Sequence, residues 1–235
     1  MEQSIIWLDL KGVNAYLIKE ENNFVLIDTG GYLVTDKPFD NRRDKIIKKI
    51  NEAGVTKDNL KLIILTHGDS DHVMNGAFIS QEYEVPVAIH KNDLEMVQNP
   101  TIEVTMKSFN YNSLIMKIVA KLIFKLIKKV TIKTLNDFES FTPEVILEEG
   151  STLEKYGIHA TIIHIPGHTP GSVGIYTQSK GFIAGDTFFG NKKPTKAMNA
   201  FDYVELDKSI EKVKKLDIKK IYPGHGTPFD FKDFK

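Results

Sequence analysis

The sequence predicts a single α/β layered domain interrupted by a helical insertion. Three observations support this. β-Branched and aromatic runs bounded by Gly and Asn occupy both ends of the chain, strand-like runs alternate with helix-spaced segments, and 235 residues suit one large domain.

Residues 4–10, 12–19 and 23–27 read as three short strands, the third ending in Asp28-Thr29-Gly30-Gly31. Residues 44–53 have helical spacing, with Ile46, Ile47 and Ile50 on one side, Lys and Arg on the other, and Gly54 closing the run. The apolar run at 60–65 has the mark of a strand buried on both faces and leads into Thr66-His67. A short helix at 75–81 and a strand at 86–90 follow. Later come strands at 160–165, 172–177 and 181–184, a Lys-rich helix at 208–216 and a last short strand at 220–222.

The insertion spans 107–141. Within 114–130, Lys117, Lys121, Lys125, Lys128 and Lys129 fall on one narrow helical stripe. The apolar arc beside them covers roughly two-thirds of the circumference, more than docking on one core surface requires. The favoured expectation is that this segment packs on its own domain or on a second copy, as a homodimer through 114–130. A lid walling a substrate pocket is the next reading, and a membrane-surface helix the last.

Composition narrows the chemistry. Lys+Arg and Asp+Glu balance at 31 each, so nothing points to a nucleic-acid partner. The chain has no cysteine, which excludes disulfides, Cys-ligated zinc and thiolate nucleophiles and leaves His, Asp and Glu to hold any metal. Met1-Glu2-Gln3-Ser4 brings no basic region ahead of its apolar stretch, and no run reaches the roughly 18 apolar residues of a spanning helix. A cytoplasmic protein is expected.

The densest signal is Thr66-His67-Gly68-Asp69-Ser70-Asp71-His72: four ligand-type side chains within six residues, directly after a buried strand. Alone it also reads as a solvated Asp-rich turn. Three later segments repeat the arrangement at strand ends: Pro166-Gly167-His168-Thr169-Pro170-Gly171, Gly185-Asp186-Thr187 and Pro223-Gly224-His225-Gly226. His90, His159 and His164 stand apart from these motifs and are expected in structural or solvated roles.

This ordered set resembles the metallo-β-lactamase superfamily, whose pattern runs H-x-H-x-D-H, G-H-T-x-G, G-D, G-H. The resemblance covers nearly the whole chain apart from the insertion. It implies a four-layer αββα sandwich with a dinuclear site along one edge, and Asp28-Thr29-Gly30 matches the early D-T-G turn that supports the site without ligating. By the resemblance, His67, Asp69 and His168 hold the first metal, Asp71, His72 and His225 hold the second, and Asp186 bridges them. The family usually has histidine where this chain has Asp69. Two divalent ions are thus expected, zinc first, with iron or manganese opened by that harder donor.

The implied activity is hydrolysis of an ester, thioester, lactone or phosphodiester by metal-activated hydroxide, with Asp71 as the catalytic residue that orients the nucleophile and could accept its proton. Gly185-Asp186-Thr187-Phe188-Phe189 looks more like the glyoxalase II-like thioesterase branch than the acyl-homoserine lactonases, which carry tyrosine where Phe189 stands. The alternatives are an inactive metal-binding or regulatory module of this fold and a di-iron redox protein. That redox branch carries a flavin domain for which this chain is too short. The expected partner is a small-molecule substrate.

Overall fold

The computed structural model describes residues 2–36, 38–107 and 110–234. Ser108 and Phe109, inside the expected insertion, and Met1 of the N-terminal segment lie outside the described residues.

The first half runs β1 (Gln3–Asp9), β2 (Asn14–Glu20), β3 (Asn23–Ile27), α1 (Arg43–Glu52), β4 (Leu60–Ile64), α2 (Ser70–Val73), α3 (Gly76–Tyr83), β5 (Val87–His90), α4 (Leu94–Gln98), α5 (Ile102–Met106), α6 (Leu114–Leu122), α7 (Phe124–Asp137) and β6 (Val145–Leu147). The second half runs β7 (Ala160–His164), β8 (Val173–Thr177), β9 (Gly181–Gly190), β10 (Thr195–Lys196), α8 (Tyr203–Val213), β11 (Lys220–Gly226) and β12 (Phe229–Asp230). The strands form two sheets, ordered β1-β2-β3-β4-β5-β6 and β12-β11-β9-β8-β7, with β10 on β9.

The period-2 alternation of the strands sorts the core into layers. Ile18, Val25, Ile27, Leu62 and Ile64 of the first sheet meet Ile162, Val173, Ile175 and Ile183 of the second. Their neighbours Leu17, Leu26 and Ile63 point the other way, against Ile46 and Ile50 of α1 and Ile79 of α3. On the far side, Phe182, Ala184 and Ile221 pack beneath Leu206, Ile210 and Val213 of α8. The result is an αββα sandwich, as the motif order implied.

Some boundaries move for identifiable reasons. α8 starts at Tyr203 instead of near 208, because the Asp202 carboxylate accepts from the Val204 and Glu205 amides as an N-cap. β9 and β11 run well past 184 and 222, so Asp186 and His225 lie within strands and not beyond their ends. Both strands stay usable for ligands because they are irregular there. Gly185 has φ +49°, and the β9–β11 pairing shifts register around Pro223. The short strands β6, β10 and β12 carry too few residues to show a period.

The expected single helix over 114–130 is two helices. Ile123, at φ −96° and ψ 9°, separates α6 from α7. The break frees each helix to choose its own facing. α7 buries Ile127, Val130, Thr131 and Thr134 on the body, whereas α6 buries none of its residues.

Candidate metal centre

The site lies where loops and strands of both sheets meet. Asp69 caps α2 through its backbone alone, which leaves its carboxylate aimed at His168, Oδ2 lying 3.1 Å from Nε2. Asp71 and His72 follow on that single turn. Across from them, His225 Nε2 is 3.2 Å from both Asp71 Oδ2 and Asp186 Oδ2. Asp186 Oδ1 is 3.2 Å from His72 Nε2, and Oδ2 is 3.8 Å from His168 Nε2. His67 Nε2 stands 3.8 Å from Asp69 Oδ2. All seven residues singled out in the sequence therefore face one centre.

Their ligand atoms form three overlapping sets, His67–Asp69–His168, His67–His72–Asp186 and Asp71–His72–His225, each within 4.8 Å. His67, His72, His168 and Asp186 are buried. Gly224 is required by this convergence: a Cβ there would meet Asp186 Oδ1 at 2.1 Å and His72 Cε1 at 2.6 Å.

Each imidazole is turned inward by a partner on its other nitrogen. His67 Nδ1 is 2.9 Å from Thr66 Oγ1, and His72 Nδ1 is 2.9 Å from Asp28 Oδ2. His168 Nδ1 meets the Asn199 carbonyl at 3.0 Å and His225 Nδ1 the Gly12 carbonyl at 2.6 Å. An oxygen acceptor on Nδ1 fixes that nitrogen as N–H and leaves the Nε2 lone pair free to ligate. Asp28 serves two rings, since its Oδ2 also accepts from Thr66 Oγ1 at 2.8 Å while Oδ1 takes the Thr66 amide at 2.8 Å.

Three partners were not legible in the sequence. Asn14 and Tyr16 donate to the Pro223 carbonyl at 2.8 and 2.7 Å and so pin the His225 segment from the opposite sheet. Asp93 accepts from the Gly68 and Gly171 amides and from Thr169 Oγ1, at 2.9, 2.7 and 2.6 Å, tying the loops of His67 and His168 together. A hydrophilic residue in an otherwise ordinary helix start announces nothing by itself. The remaining histidines sit elsewhere: His90 stacks on His164 at 4.1 Å, and His159 pairs with Glu20.

Without a cation, the carboxylates and three of the four imidazoles hold one another in charged form, and His67 is kept neutral. Burial opposes a charge on His168, but Asp69 outweighs it and raises the imidazole to about 9. Burial likewise opposes charge on His225, yet Asp186 and Asp71 lift it to about 10. His72 is pushed well above its ordinary range against burial by Asp186, Asp71 and Asp28, while burial and the neighbouring histidines push His67 well below it. Burial would raise Asp71, but His72 and His225 hold it down at about 2. Protons thus occupy positions a metal cation would take.

The fit of a cation rests on the atoms this arrangement leaves over. His67 Nε2, Asp69 Oδ1 and Asp186 Oδ1 are buried and make no hydrogen bond. Each such group costs about 1–3 kcal/mol, and these three, brought together from the His67–Asp69 loop and from β9, are donors of the type a divalent cation takes.

A cavity of about 340 Å³ opens over the cluster. Its floor is Asp69, Asp71, Asp186 and His225, and its walls include Leu33, Val34, Val130, Thr134 and Phe189. Phe189 lies nearly parallel to the His225 ring, 5.3 Å between centroids. α7 therefore walls the pocket. Arg42 holds the opposite wall in place. It is buried, donates to the Gly31 carbonyl at 2.6 Å and pairs with Asp36 at 2.7 Å.

Comparison with known proteins agrees with this geometry. The chain is 26% identical over 213 residues to the hydroxyacylglutathione hydrolase GloC of Haemophilus influenzae, covering 88% of this chain and 82% of that protein. The BLEG-1 B3 metallo-β-lactamase shares the fold with a TM-score of 0.68 at 20% identity, over 98% of this chain and 95% of the other. A di-iron-bound form of TTHA1623 matches with a TM-score of 0.60 at 24% identity, over 93% and 89%. The profile of the metallo-β-lactamase superfamily matches residues 8–225, and the chain belongs to that superfamily.

Proposed function

We propose that this chain is a metal-dependent hydrolase of ester-type bonds, with an acyl thioester as the leading substrate class. The observation that carries the proposal is the convergence of four oriented imidazoles and three carboxylates on the floor of one cavity. His67, Asp69 and His168 would hold one divalent ion and Asp71, His72 and His225 a second, with Asp186 facing both groups. Zinc leads, and iron stays open through Asp69 and the di-iron form of a structural relative. The chemistry such ions supply is Lewis acidity toward a substrate oxygen and toward water.

The protein's own groups do the rest. Asp71, on the cavity floor 3.2 Å from His225 Nε2, can accept a hydrogen bond from water and orient it, and can take up its proton. Leu33, Val34, Val130 and Phe189 offer an apolar seat for an acyl group. The relative GloC is named a hydroxyacylglutathione hydrolase, which favours a thioester. Phe189, in place of the lactonase tyrosine, argues against a lactone.

The test is metal counting on protein purified without chelator, joined to turnover of acyl thioesters, an acyl-homoserine lactone and a phosphodiester. Expected are about two ions per chain and thioester cleavage that chelation abolishes and metal restores. Failure to bind zinc, iron or manganese on reconstitution overturns the hydrolase reading. Metal binding with a strong preference for the phosphodiester overturns the substrate class alone.

A further inference from the structure

Helix α6 is an apolar helix with no buried residue. Leu114, Ile115 and Leu122 are 73%, 72% and 79% exposed, and Ile118 and Val119 are exposed with them. At one residue per 100° these five side chains fall within an arc of about 140°. Lys117 and Lys121 border that arc on one side, while the half-buried Met116 and Ala120 border it on the other. Exposed Ile123, Phe124 and Leu126 continue the apolar surface into α7. A contiguous patch of this kind marks an interaction surface.

Charge identifies what covers it. Between Glu103 and Asp137 the sequence contains seven lysines and no acidic residue, in a chain whose charges otherwise balance at 31 each. Lys133 pairs with Asp137. Among the described residues, Lys117, Lys121, Lys125, Lys128 and Lys129 are exposed and in no ion pair. On α7, Lys125, Lys128 and Lys129 lie opposite Ile127, Val130, Thr131 and Thr134, which face the body. A second copy docked through this surface would set one lysine row against another. A negatively charged layer with an apolar interior matches both properties together.

We propose that α6 and the outward face of α7 form a docking surface for an anionic lipid bilayer. The α6 leucines and isoleucines enter the acyl boundary, and the lysines rest among the headgroups. Among the described residues no helix is long and apolar enough to cross a membrane, so the mode is peripheral. α7 joins this surface to the site, because its inner face walls the cavity above the carboxylates.

The experiment is flotation of the full chain with phosphatidylcholine vesicles and with vesicles carrying roughly a third phosphatidylglycerol, an anionic surface of the kind that attracts lysine clusters. The chain is expected to float with the anionic vesicles, to stay behind with the neutral ones and to be released by high salt. Lys125→Glu/Lys128→Glu/Lys129→Glu should weaken partitioning at least about 100-fold. Leu114→Ser/Ile118→Ser/Leu122→Ser should abolish insertion with unchanged circular dichroism, since all three side chains are exposed. The proposal is overturned if the parent ignores anionic vesicles, or if either variant partitions like the parent. It is equally overturned if the parent is a dimer that the serine variant turns into a monomer, which would make a second copy the occupant.

Discussion

Replacing Asp28 by asparagine isolates the support of the metal centre from its ligands. Asp28 sits at φ +62°, a conformation asparagine tolerates, so the exchange adds no backbone strain. It changes what the side chain can accept. The carboxylate takes three donors, His72 Nδ1 and Thr66 Oγ1 on one oxygen and the Thr66 amide on the other. An amide has one oxygen. If that oxygen keeps His72 and Thr66 Oγ1, its NH2 faces the Thr66 amide and leaves a buried N–H unpaired, costing about 1–3 kcal/mol. If the amide turns over, its NH2 donates to His72 Nδ1. The proton then moves to Nε2, and the ring can no longer ligate. The first outcome lowers the stability of the fold, and the second lowers metal affinity by about 10–100-fold through the loss of an orienting partner. The assays are competition with a chromophoric chelator and urea unfolding of the metal-free protein. An Asp28→Asn protein with parental affinity and parental unfolding midpoint would refute the claim that Asp28 orients His72.

The remaining predictions concern the ligands themselves. Asp69→His should retain both ions and shift preference toward zinc, while Asp69→Ala should weaken the ion held with His67 and His168 and spare the other, as read by metal counting across a chelator series. His168 at about 9, His225 at about 10 and His72, pushed well above its ordinary range, are all protonated at neutral pH in the metal-free protein, so metal binding should release about three protons, measurable by calorimetry in buffers of different ionisation enthalpy. Both values lie above the ordinary 6.5, so their contribution to the stability of the metal-free protein is full below pH 6.5 and disappears as pH rises through 9 and 10. A metal-free unfolding midpoint flat from pH 7 to about 10 would contradict this. Gly224→Ala drives a methyl into Asp186 and His72 and should abolish metal binding in a chain that still shows native circular dichroism.

The ligands were legible in the sequence because ligand chemistry admits few residue types and local backbone delivers them. Asp69, Asp71 and His72 need only one turn of helix to face the same way, and Pro-Gly before His168 and His225 marks a tight approach in the residue string itself. The layered α/β character was legible from the strand and helix patterns, the four layers came through the resemblance, and in the structure alternating residues such as Val25, Leu26 and Ile27 face different layers. The tertiary structure alone decided what holds those ligands. Asp28 reaches His72 across 44 positions, Asn14 reaches Pro223 across 209, and the Gly12 carbonyl reaches His225 across 213. Hydrogen bonds of this range leave no periodic trace, because any buried polar residue could make them with any segment the fold brings near. The same reason governs the insertion. Its composition announced a helix with more apolar surface than one face could hide, and only the break at Ile123 determined which half closes the pocket and which half remains exposed.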